Sequence, residues 1–158
     1  MIAMFRALLV ALILITGAAQ PASAGAFEDG FAAYQSGDYP TALRLWMPLA
    51  RQGNARAQLY LGFMYEDGQG VPQNYAEAVK WYRLAADQGN ARAQSNLGFM
   101  YEKGQGVPQN FLLVHMWYNL ANAGGLADSA KNRDLIAAKM TPAQIAEAQR
   151  LAAEWKPK

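Results

Sequence analysis

The side chains of this 158-residue chain that could do chemistry are few, and their spacing suits little of it. Beyond residue 24 the candidate nucleophiles are Ser36, Ser95 and Ser129. None is followed by lysine at the third position, as the S-x-x-K nucleophile of penicillin-recognising enzymes requires, and none sits in a G-x-S-x-G elbow. Cysteine is absent, which removes thiol catalysis and disulfides together. His115 is the single histidine, so no second imidazole completes a zinc site. Glu66 and Asp67 are adjacent carboxylates, but neighbouring positions of a helix point apart and both read as solvated. Gly68-Gln69-Gly70, repeated at Gly104 to Gly106, lacks the preceding strand and following Lys-Ser or Lys-Thr of a phosphate loop, and reads as a turn. Trp46, Trp81 and Trp117 could stack on a sugar or a base, yet helical spacing beside alanines assigns them to a core. The expectation is a chain with no catalytic residue, no metal ligand and no cofactor.

What these residues are embedded in is a duplication. Gly62 to Asn74 reads GFMYEDGQGVPQN and Gly98 to Asn110 reads GFMYEKGQGVPQN, differing only where Asp67 becomes Lys103. Laying 54–89 on 90–125 gives a period of 36 with 23 identical positions. A degenerate earlier copy starts near Gly30, lacks four loop residues and rejoins the pattern with Tyr39 opposite Tyr75. Periods of this length are the signature of repeat architectures. Each unit reads as two helices. Ala57, Leu61 and Tyr65, with Met64 beside them, share one face of the first; Ala78, Trp81, Tyr82 and Ala85 form the stripe of the second.

Glycine within a helix costs about 1 kcal/mol against alanine, so its recurrence at Gly30, Gly62 and Gly98 points to close helix approach. Pro72 bars helix continuation, and Asn54, Asn74 and Asn90 suit N-caps. Pro48 is expected to kink the second helix of the first unit without breaking it. After Gly125 two further helices are expected, the second opened by the capping-box sequence TPAQ at Thr141. Ala76, Glu77 and Lys80 of one unit become Leu112, Leu113 and Met116 in the next, so the terminal pair should cover the last repeat. The expected fold is all-α, an α-solenoid of about three helix-turn-helix units (26–53, 54–89 and 90–125) with two C-terminal capping helices over 126–156.

Residues 1–24 resemble an export signal. One arginine precedes the apolar run Ala7 to Gly17, and Ala22-Ser23-Ala24 is a small-x-small cleavage pattern. Gln20 and Pro21 arrive too early for a spanning helix of about 20 apolar residues. Cleavage after Ala24 would leave 13 Lys and Arg against 12 Asp and Glu, too even a balance to predict nucleic-acid binding. The expected location is periplasmic or secreted, with no stable membrane insertion after cleavage.

The elements A-x-A-Q, L-G-x-M-Y, G-x-G-V and A-x-x-W-Y-x-x-A-A-x-x-G, in order and twice, resemble the Sel-one-like repeat, a relative of the tetratricopeptide repeat. The resemblance covers Ala26 to Gly125. It implies a non-enzymatic adaptor or scaffold that offers a curved surface to a protein or peptide. Some bacterial relatives are linked to penicillin binding or weak β-lactamase activity, but those are rich in disulfides. A cell-wall-directed enzyme and a peptidoglycan binder are the alternatives. In such solenoids the first helix of each unit lines the concave surface, which makes Arg56, Leu59, Tyr60, Phe63 and Asp67, with Arg92, Ser95, Asn96, Phe99 and Lys103, the candidate partner contacts. Phe63 and Phe99 could instead pack between first helices. The unrepeated pairs, Leu59 with Ser95 and Tyr60 with Asn96, are then the stronger candidates.

Overall fold

The computed structural model describes residues 22–158, so all but the last residues of the expected export signal lie outside the described range. Among the described residues every regular element is a helix: α1 (Ala22–Gln35), α2 (Tyr39–Arg51), α3 (Ala55–Asp67), α4 (Tyr75–Asp87), α5 (Ala91–Lys103), α6 (Phe111–Ala123), α7 (Asp128–Ala137) and α8 (Pro142–Glu154). Each helix from α1 to α7 packs on its sequence neighbours, which is the one-dimensional stacking expected of a solenoid. The exception is α8, which lies on α6.

Local chemistry sets the boundaries. Asn54, Asn74, Asn90 and Asn110 each accept a hydrogen bond from the backbone N–H three residues on, at 2.9, 3.1, 3.0 and 3.2 Å. That satisfies a donor the first helical turn would otherwise leave orphaned. Gly53 and Gly89 close the units at φ of 93° and 87°, a left-handed conformation that glycine adopts without strain. Thr141 and Gln144 form the reciprocal capping box. Helix α2 runs through Pro48 unbroken, as expected.

The A-x-A-Q letters acquire a cause at the joints. Gln58 and Gln94 are buried, and their side-chain amides donate to the carbonyls of Ala50 and Ala86, at 3.0 and 3.2 Å. A buried amide must find partners or cost several kcal/mol. Here it ties the start of each unit to the end of the one before. Within each unit the helices meet at glycine: a Cβ on Gly30, Gly62 or Gly98 would fall 2.5, 2.3 or 3.1 Å from the ring of Trp46, Tyr82 or Tyr118. Those three aromatics occupy one repeat position, and all are buried.

Glu66 departs from expectation. It is half-buried rather than solvated, because the Tyr82 hydroxyl donates to its carboxylate, and Tyr118 does the same to Glu102 at 3.1 Å. Burial raises the Glu66 pKa, partly countered by that hydrogen bond, and burial beside a carboxylate raises those of Tyr82 and Tyr118. Because the pair recurs in consecutive units it is a structural clamp between first and second helix. Trp46 and Trp117 are core residues, whereas Trp81 is only half-buried. His115 is buried near Arg133 and Asp134 of α7, and burial lowers its pKa, with Arg133 adding to the effect and Asp134 opposing it.

Candidate interaction surface

Residues 56, 60, 63 and 67 on α3, and 92, 96, 99 and 103 on α5, recur at helical spacing and so form one stripe per first helix. The two stripes are not equally open. Arg56 is exposed, with its guanidinium 4.0 Å from the Phe27 ring centroid and 3.0 Å from a Glu28 carboxylate oxygen. Asp67 and Arg92 are exposed as well. Phe99 is 40% exposed, and the Lys103 ammonium stands 5.4 Å from its ring centroid while reaching Glu102 at 3.7 Å. A cation over an exposed ring presents charge and apolar area together.

Five of the ten candidates are buried or half-buried. Leu59 is 3% exposed and sits in the core shared by the second and third units, so it is not offered to a partner. Its counterpart Ser95 instead accepts a hydrogen bond from Ser129 of α7 at 3.3 Å. The pair differs because the neighbour that follows differs. Tyr60 is half-buried, meeting Phe27, Phe31, Tyr34 and Trp46 of the first unit at centroid distances of 4.9 to 5.8 Å. Asn96, its counterpart, is half-buried with its amide nitrogen enclosed and unpartnered. Leu59, Ser95 and Tyr60 are therefore not free for a partner, because each meets the adjacent unit. Phe63 is half-buried against Tyr60 of its own helix and Tyr82 of α4, whereas Phe99 stays open.

An open groove of about 530 Å³ that sequence reading missed lies between α2 and α4. Ala50 and Arg51 of α2 and Trp81, Leu84 and Asp87 of α4 line it, together with Gly53, Gln58, Gln88 and the terminal Lys158. Its sequence signal was the recurrence of Trp-x-x-Leu at Trp81 and Trp117, which spacing alone could not separate from core. Among the described residues no cluster of His, Asp and Glu could hold a metal ion, and no helix is long and apolar enough to cross a membrane.

Residues 55–90 and 91–126 each match the Sel1 repeat. The chain carries two Sel1 repeats. Its matched spans start one residue after the Asn54 and Asn90 caps, so each repeat is one helix pair plus the joint that follows. Among solved structures it is similar to c5321, a protective antigen present in uropathogenic Escherichia coli strains and displaying an SLR fold, with 26% identity and a TM-score of 0.81 over 87% of this chain. It is also similar to a Sel1 repeat protein from Oxalobacter formigenes, with 31% identity and a TM-score of 0.68 over 82% of this chain. The aligned parts make up 30% and 56% of those two proteins. No curated protein sequence matches the chain. Sel1 repeats are generally protein-interaction modules, and proteins built from them are generally non-enzymatic scaffolds.

Proposed function

We propose that this chain is a non-enzymatic adaptor that captures a protein or peptide on the face made by its first helices, outside the cytoplasm. The observation that carries the reading is the split within the repeat. Residues that hold the helix pairs together are the same in consecutive units, whereas the exposed stripe keeps arginine at Arg56 and Arg92 but reverses charge at one position, from Asp67 to Lys103 beside an open Phe99 ring. Aromatic and arginine side chains dominate the energetics of protein interfaces. In tetratricopeptide-like solenoids that stripe faces the concave side, and Arg56, Arg92, Phe99 and Lys103 are the contacts placed there. Tyr60, Leu59 and Ser95 are left out because they meet the neighbouring unit, and Asn96 because its amide is enclosed. The serines lend no support to the enzyme alternative: Ser129 is buried and bonded to Ser95.

Replacing Phe99 by alanine and both Arg92 and Lys103 by glutamate should reduce partner capture from an envelope extract by about tenfold or more, the scale of losing a hot spot. The melting temperature should move by only a few degrees, since these side chains are exposed. Capture at full strength by this variant would remove the first-helix face from consideration.

Export rests on the apolar run Ala7 to Gly17 and on Ala22-Ser23-Ala24. Protein recovered from the envelope of an expressing cell should have the intact mass of a chain beginning at Gly25. Material there that retains Met1 would contradict cleavage.

A further inference from the structure

The groove on the second-helix face has an internal precedent. Thirty-six residues further along, its counterpart positions are Ala86, Asp87, Gly89, Trp117 and Leu120, and there the site is filled by the chain's own last residues. Trp155 and Pro157 lie 3.8 and 4.0 Å from where a Gly89 Cβ would stand. The Lys158 backbone N–H donates to the Asp87 carbonyl at 2.8 Å, and its ammonium meets the Asp87 carboxylate at 3.2 Å. Under the terminal segment Trp117 is only 3% exposed and Leu120 is half-buried. In the open groove Trp81 is half-buried and Leu84 is 48% exposed. The two sites are thus one binding geometry written twice, occupied in one copy and open in the other.

The copies differ in sign at the decisive position. Where the occupied site has Asp87, the open one has Arg51, which makes no ion pair among the described residues and whose carbonyl accepts no hydrogen bond there. The only acid on the groove wall, Asp87, is already paired with Lys158 at the rim. A second copy of this chain would bring Lys158 against Arg51, and like charges brought together at an interface are repulsive.

We propose that the groove between α2 and α4 docks a segment of a partner protein that imitates residues 155–158 with the charge reversed. An aromatic side chain sits over Gly53, Trp81 and Leu84, and a carboxylate three residues later pairs with Arg51. This site is separate from the first-helix face and stands without it.

The test uses the full chain and two fluorescent peptides covering residues 149–158, one native and one carrying Lys158→Glu. The Lys158→Glu peptide should bind saturably, about tenfold or more tighter than the native one by anisotropy. Arg51→Glu in the protein should reverse that order, and Leu84→Asp should abolish binding of both peptides with an unchanged melt. Binding should survive substitution of Arg92, Phe99 and Lys103, which separates this outcome from the fate of the first-helix proposal. No saturable binding of the Lys158→Glu peptide, or a peptide preference indifferent to Arg51→Glu, would overturn it. So would a concentration-dependent dimer lost on Leu84→Asp, which would give the groove to a second copy.

Discussion

Deleting residues 126–158 should leave a chain that no longer melts cooperatively and that associates with itself. Helices α7 and α8 lie on α6, and Leu113, Met116, Trp117 and Leu120 are in or against the core that Ile136, Ala152, Leu151 and Trp155 complete. Fully burying one large apolar side chain contributes about 1.5–3 kcal/mol. Uncovering several therefore exceeds much of the roughly 5–15 kcal/mol that separates folded from unfolded states. The expected readout is loss of the sigmoidal melt by circular dichroism, with oligomers by light scattering. A monomeric truncation that melts where the full chain does would show that α7 and α8 are ornaments rather than a cap. The replacement of Ala76, Glu77 and Lys80 by Leu112, Leu113 and Met116 in the last repeat makes the same demand in sequence terms. Solvent suits the first set, and only an overlying element suits the second.

Gly62→Ala and Gly98→Ala should differ sharply although both change the same letter of the repeat. At Gly62 the new methyl would stand 2.3 and 2.4 Å from Tyr82 Cε1 and Cδ1. That ring is fully buried, its hydroxyl is held by Glu66, and Phe63 lies against it with centroids 5.7 Å apart. It has little room to withdraw. Overpacking of this kind costs about 1–3 kcal/mol or more, against a helix-propensity gain of about 1 kcal/mol. A net loss of about 2 kcal/mol corresponds to a melting temperature lower by roughly 8 °C in a domain of this size. At Gly98 the nearest atoms of Tyr118 lie at 3.1 and 3.2 Å, so the ring need yield only a few tenths of an ångström. There the propensity gain offsets the strain, and the melt should stay within about 3 °C of the parent. Equal melts for the two variants, or stabilisation by Gly62→Ala, would mean that the Tyr82 ring relaxes at no cost.

Most of what is set inside one repeat is legible in the chain's own letters. Helix starts at Asn54, Asn74, Asn90 and Thr141, the close helix approach at Gly62, and the two-helix unit all follow from local hydrogen bonding, backbone freedom and helical spacing. Those forces act over a few residues and leave the same letters wherever they act, which is why duplication made them legible. The tertiary structure alone decided what each unit meets on either side. Leu59 lies buried and Ser95 bonds to Ser129 because one faces another repeat and the other faces α7. Tyr60 is drawn into the Phe27, Phe31 and Trp46 cluster, and even within a unit Glu66 leaves water for the Tyr82 hydroxyl. The terminal segment from Trp155 to Lys158 crosses back to Asp87, filling one groove and leaving its twin beside Arg51 open. Such contacts join residues as far apart as 71 positions, as Asp87 and Lys158 are. No periodicity records them, because they depend on how rigid units stack and on which neighbour happens to come next.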